Sequence, residues 1–251
     1  MSGKQARARR RTRSERPTIQ VNAESIIRSA LAVLAVNLDD VPLTRVSQFI
    51  VGWCRAAFAQ SHVIGQLAIG GMSSASAPNR RLFAELAIRL QWLLDLPKEN
   101  RPEAVDEILE VAREAKHGTH KHLRDMGWDV ELDPTEMDAF VLAGANGQIK
   151  NQARKFAAAA HATEVKNGPV FAMWREDSFL AHPTGPLAGE YAPPAIDNKV
   201  LGSGLPSVVD LDLDGHRHIS MLVIVTACSL LKNEGVGDAA VNRLSSAFFS
   251  S

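Results

Sequence analysis

Apolar residues recur along this chain at helical rather than alternating spacing, and the pattern predicts a run of helices with almost no strand. Asn22 suits a helix N-cap, and Ile26, Ala30, Val33 and Leu34 then share one face as far as about Leu38. Val46, Ile50, Trp53, Ala57 and Ile64 define a second helix from Thr44 to about Ile69, closed by Gly70 and Gly71. Pro78 stands at a first helical position, and Leu82, Leu86, Ile88, Leu90, Trp92 and Leu93 carry the stripe until Pro97 stops it. Pro102 opens a further helix with Val105, Ile108, Leu109, Ala112 and Ala115 on its apolar side, ending near Met126 at Gly127.

The second half is more punctuated. Asp133-Pro134-Thr135-Glu136 has the order of an N-cap, a first-turn proline and a capping-box glutamate, so a helix is expected there. Residues 148–166 predict one alanine-rich helix, and Val170 to His182 a shorter one that Pro183 closes. From Pro183 to about Gly215 the chain is rich in proline and glycine and predicts a long ordered loop, with a short strand at Val208 to Leu213. A strongly apolar helix from about His218 to Lys232 and a final one from Asp238 to Phe248 complete an all-α helical bundle. No repeat period is present.

Composition fits such a bundle. Of 251 residues, 45% are apolar and 22% charged, enough to build a sizeable core. The length allows one helical domain over 18–251, with one large core or two helical subdomains. Formal charge balances to zero, but residues 1–17 hold seven cations (Lys4, Arg7, Arg9, Arg10, Arg11, Arg13 and Arg16) against Glu15. This segment is expected to be a disordered basic tail, either a solvated, flexible terminus or one drawn by charge to RNA, DNA or an acidic partner. The rest then carries six net negative charges, which is not the global footprint of a nucleic-acid-binding domain. Cys54 and Cys228 lie in apolar helical stretches, where reduced, buried thiols fit a cytoplasmic protein. The Ile26 to Val36 stretch is too short to span a bilayer, so no membrane association is expected.

Three constellations could carry chemistry. Asp212, Asp214, His216 and His218 would share a face of an extended segment with ligand types that suit zinc or iron, unless the histidines enter the following helix and Asp214 is its N-cap. Glu114 and His117 have Glu-x-x-His spacing, but no second such motif accompanies them and Lys116, Lys121 and Arg124 crowd the same turn. Neither set is complete, and Gly202-Ser203-Gly204 lacks the context of a phosphate-cradling loop. No metal or other cofactor is expected.

The third constellation is Trp174-Arg175-Glu176-Asp177-Ser178-Phe179-Leu180-Ala181-His182, in which Arg175, Ser178 and His182 stand at spacings of three, four and seven. A helix places those three on one face. This segment resembles a bacterial helical family of unknown function that pairs an Arg-x-Leu-Phe-x-Glu helix with an aromatic-Arg-x-x-Ser-x-x-x-His helix. Here the first element corresponds to Arg81-Leu82-Phe83-Ala84-Glu85, one residue shorter.

The Arg175 to His182 interval also resembles the Arg-x6-His motif of HEPN-superfamily ribonucleases, metal-independent helical enzymes of toxin and phage-defence systems. That resemblance implies His182 as general base on a ribose hydroxyl and Arg175 as the cation on the phosphate, supported by Ser178, Arg81 and Glu85. It also implies RNA as substrate, an antitoxin or other protein partner, and a homo-oligomer. Glu176 departs from the Asn, Asp or His that often follows the arginine, and adds a carboxylate that repels phosphate. Against the catalytic reading stands a structural one, with His182 at a helix C-terminus and Arg175 paired with Glu85 or Asp177 inside an interaction module.

Overall fold

Helix α2 (Arg45–Ile69) starts where Thr44 and Ser47 cap each other: the Thr44 hydroxyl accepts from the Ser47 amide at 3.0 Å, and the Thr44 amide donates to Ser47 Oγ at 2.9 Å. The computed structural model describes residues 3–128, 141–163, 168–193 and 211–251, with backbone alone for 3–17. Among these residues the structure has ten α-helices and no strand, the all-α architecture that the pattern predicts. None of these helices is long and apolar enough to cross a membrane.

The remaining helices are α1 (Gly3–Leu34), α3 (Ala77–Asp95), α4 (Arg101–Asp125), α5 (Gly147–Arg154), α6 (Phe156–Ala162), α7 (Pro169–Leu180), α8 (Gly185–Tyr191), α9 (Leu213–Asn233) and α10 (Asp238–Phe249). Several boundaries differ from the sequence reading for local reasons. Asn22 does not cap α1; it lies inside the helix and its side-chain amide donates to Asp214 at 3.1 Å. Residues 148–166 form no single helix, because Lys155 takes extended angles (φ −115°, ψ 109°) between α5 and α6. The long loop from Pro183 contains α8, which Thr184 caps by accepting from the Leu187 amide. Of the expected strand, Leu211 to Leu213 is not extended ladder but the entry to α9, and 208–210 lie outside the described residues. The helix expected from Asp133 also falls outside them.

One apolar core links the bundle. Helices α2, α3 and α9 supply its centre with Ile50, Phe58, Ile64, Phe83, Ile88, Leu90, Leu93, Ile224, Leu230 and Leu231, all fully buried. Each such side chain contributes roughly 1.5–3 kcal/mol through removal from water. Helix α1 packs on α2 and α10, while α7 lies along α3. Cys54 is buried and Cys228 half-buried, both as free thiols, and burial pushes them up to about 12 and about 11.

Polar groups fix the ends of the central helices. Arg101 is almost wholly buried; its Nε donates to the Leu93 carbonyl at 3.0 Å, its Nη2 to the Leu94 carbonyl at 3.2 Å, and its Nη1 to Glu234 at 2.7 Å. One guanidinium therefore closes the C-terminus of α3 and ties it to that of α9.

Candidate functional site

Helix α7 carries its apolar stripe on Val170, Phe171, Met173 and Trp174, and places Asp177 on that same inward side with no exposed surface. A carboxylate there needs a cation. Arg80 of α3 supplies it: Nε reaches the two Asp177 oxygens at 3.2 and 3.1 Å, and Nη2 closes on Oδ1. Burial raises the Asp177 pKa and the arginine opposes that rise. Asp177 was expected to pair with Arg175, and Arg80 was not singled out as its partner. The available signal was the position of Asp177 on the apolar side of its helix.

The next residue on each helix continues the contact. Arg81 Nε donates to Ser178 Oγ at 3.1 Å, and the Ser178 hydroxyl spends its own proton on the Trp174 carbonyl at 2.6 Å. Two of the expected supporting residues thus meet, joining the two segments that carry the family resemblance. Glu85 also lies on α3 but is not joined to Arg175; its charge acts on Arg89.

The expected placement of His182 on α7 requires correction. The helix ends at Leu180, with the Ala181 amide donating to the Asp177 carbonyl at 2.8 Å. Thr184 then turns back, its hydroxyl donating to the Phe179 carbonyl and its amide to the His182 carbonyl. His182 sits in this bend, so the seven-residue interval does not place it and Arg175 on one helical face. Both side chains are exposed, and neither makes a hydrogen bond or ion pair among the described residues. The alternative pairing of Arg175 with Asp177 is also not formed, since Arg80 occupies that carboxylate.

A second polar cluster lies beneath α9. Asp212, rather than Asp214, caps this helix by accepting from the Gly215 amide at 2.7 Å, so His216 and His218 belong to its first turns. His218 Nδ1 donates to the Asp214 carbonyl at 2.8 Å. His216 is buried against Ser61, with Oγ and Nε2 2.7 Å apart, and its ring stacks obliquely on Phe83 with centroids 4.3 Å apart. Burial, reinforced by the charge on Arg80, lowers its pKa to about 4, so the imidazole is neutral. The helix disperses the four residues that an extended segment would align. Among the described residues, no group of three His, Cys, Asp or Glu side chains is placed to share a metal ion.

Glu114 of the Glu-x-x-His pair is engaged by Arg154, whose Nη1 and Nη2 donate to its two oxygens at 2.9 and 2.8 Å. The chain matches no known family model, no curated protein and no solved structure.

Proposed function

We propose that the α3–α7 pair is the working face of a HEPN-like, metal-independent endoribonuclease, acting on RNA in the cytoplasm in a phage-defence or toxin–antitoxin setting. The observation that carries this reading is the Arg81–Ser178 hydrogen bond, which joins the two motif segments while leaving Arg175 and His182 exposed and without a partner among the described residues. In this role the His182 imidazole takes the proton from a ribose 2′-hydroxyl as that oxygen attacks the adjacent phosphorus. Arg175 stabilises the charge gathering on the phosphate, the bond from phosphorus to the 5′-oxygen of the next nucleotide breaks, and that oxygen takes a proton from water as it leaves. Arg81 and Ser178 hold the register of α7 on α3.

The test is cleavage of single-stranded RNA by the full chain with chelator present, comparing wild type with His182→Ala and Arg175→Ala. Each substitution is expected to lower the rate by at least about a hundredfold. Melting temperature should not move, because neither side chain has a partner to lose among the described residues. Wild-type protein that leaves RNA intact overturns the reading.

A second reading rests on a different observation. Phe179 is 53% exposed, and an apolar cleft lined by Pro78, Leu180, Pro183, Leu187 and Tyr191 adjoins the same bend. Such an edge suits a non-catalytic module that docks a protein partner, whether an antitoxin or a second copy of this chain. Loss of a co-purifying partner or of self-association in Phe179→Asp, with no RNA cleavage by wild type, favours it.

A further inference from the structure

On the far flank of α7, away from Arg175 and His182, a cavity of about 830 Å³ opens between α7 and the first turns of α9. Its volume falls in the range of about 300–1,000 Å³ typical of small-molecule sites. Ile64, Val170, Met173, Leu213, Ile219 and Leu222 are among the apolar side chains of its wall. The polar groups divide into two sets: Arg80 and His216 are covered, whereas Glu176, Asp212 and His218 are exposed at the rim.

Two nitrogens of this covered set have no hydrogen-bond partner among the described residues, Arg80 Nη1 and His216 Nδ1, and only the latter is buried. Arg80 is committed to Asp177 through Nε and Nη2, and the two charges cancel. His216 is 4% exposed and its Nδ1 has no partner among the described residues. The identity of that atom as a donor follows from Ser61. This serine is 1% exposed, and unlike Ser178 and Ser220 it makes no bond back to a carbonyl of its own helix; its sole partner among the described residues is His216 Nε2. If Nε2 carried the proton, the Ser61 hydroxyl hydrogen would be buried without an acceptor, at a cost of about 1–3 kcal/mol. The favoured arrangement has Ser61 donating to Nε2, and the ring proton then resides on Nδ1.

We propose that this cavity binds a neutral, largely apolar small molecule bearing a carbonyl-type acceptor, which takes its hydrogen bond from His216 Nδ1–H. The walls call for an apolar body, and the donor calls for an acceptor. The rim carboxylates of Glu176 and Asp212 disfavour an anion, and Arg80 offers no spare charge to compensate it. Neither Arg175 nor His182 lines the cavity, so this site stands apart from the ribonuclease reading.

Two dyes of similar size test the proposal on the full chain at neutral pH: the neutral naphthyl ketone prodan and the anionic anilinonaphthalene sulfonate. Saturable prodan fluorescence with one site is expected, at least about tenfold tighter than for the sulfonate. Leu222→Trp, at a half-buried wall position that tolerates a larger side chain, should abolish it. His216→Leu should weaken it about five- to tenfold and blue-shift the bound emission through loss of the hydrogen bond. Should His216→Leu fail to fold by circular dichroism, the Leu222→Trp comparison decides alone. No saturable prodan binding, binding unchanged in Leu222→Trp, or preference for the sulfonate overturns the proposal, and undiminished affinity in folded His216→Leu overturns the assigned donor.

Discussion

Arg80 meets Asp177 beneath α7 in a forked ion pair whose carboxylate is wholly buried, and the following residues of the same two helices, Arg81 and Ser178, meet in turn. The offset between partners is the same in both pairs. Such doubled contacts fix the axial position of one helix on another: sliding α7 by one residue would break both at once. The exposed edge bearing Arg175 and the cavity-facing side bearing Met173 and Glu176 are positioned by this one joint.

Removing one partner of the ion pair should therefore be costly. Asp177→Ala leaves Arg80, only 19% exposed in its side chain, without a counter-charge, and a loss of about 3–5 kcal/mol in unfolding free energy is expected. The double variant Arg80→Leu/Asp177→Leu should recover most of that loss, since apolar groups of similar volume need no partner. Urea unfolding of the three proteins gives the comparison. A single variant as stable as wild type would show that the pair contributes little to holding α7.

His216 makes stability depend on pH in a defined direction. Its pKa falls from an ordinary 6.5 to about 4 in the folded chain, so between those values the unfolded state binds a proton that the native state refuses. Stability should then be full above pH 6.5 and decline as pH drops towards 4, by up to about 3 kcal/mol from this residue. Asp177 acts in the opposite sense, because a carboxyl held above 3.8 costs stability while ionised. Comparing wild type with His216→Leu by urea unfolding at pH 7 and pH 4.5 isolates the histidine. The variant should show the shallower pH dependence, and equal slopes would contradict the assignment of a buried neutral ring.

How far these features could be read in the sequence depended on the range of the interactions. Helix α2 was legible because Thr44 and Gly70 lie next to its ends, and α3 because Pro78 and Pro97 bracket its stripe. The break at Lys155 was not, since no glycine or proline marks it and Arg89 of α3 stabilises it by donating to the carbonyls of Gln152 and Ala153, both at 3.0 Å. Of the candidate site, the meeting of Arg81 with Ser178 was legible through a family resemblance. The bend holding His182 was not, because helical spacing extrapolates through Ala181 regardless of where Thr184 turns the chain back. Arg80 and Ser61 escaped, and Asp177 and His216 were given other roles, for a common reason: each acquires its observed role only from a partner about a hundred or more residues away.

Two glycines of α2 give a final, opposed pair of expectations. In isolation, glycine to alanine inside a helix stabilises by about 0.5–1 kcal/mol through chain entropy. Gly52 is exposed with nothing within 4 Å of where its Cβ would stand, so Gly52→Ala should realise that gain. Gly65 faces α1, where an added Cβ would come within 2.7 Å of Ile27 Cγ1 and 3.1 Å of the Ala23 carbonyl oxygen. The Ile27 side chain can rotate, but the Ala23 backbone belongs to a packed helix, and overpacking of this kind costs about 1–3 kcal/mol. The penalty exceeds the entropic gain, so Gly65→Ala should lower stability while Gly52→Ala raises it. Chemical denaturation of both variants measures the difference on one helix, and a Gly65→Ala protein as stable as its Gly52→Ala counterpart would mean that α1 does not approach α2 this closely.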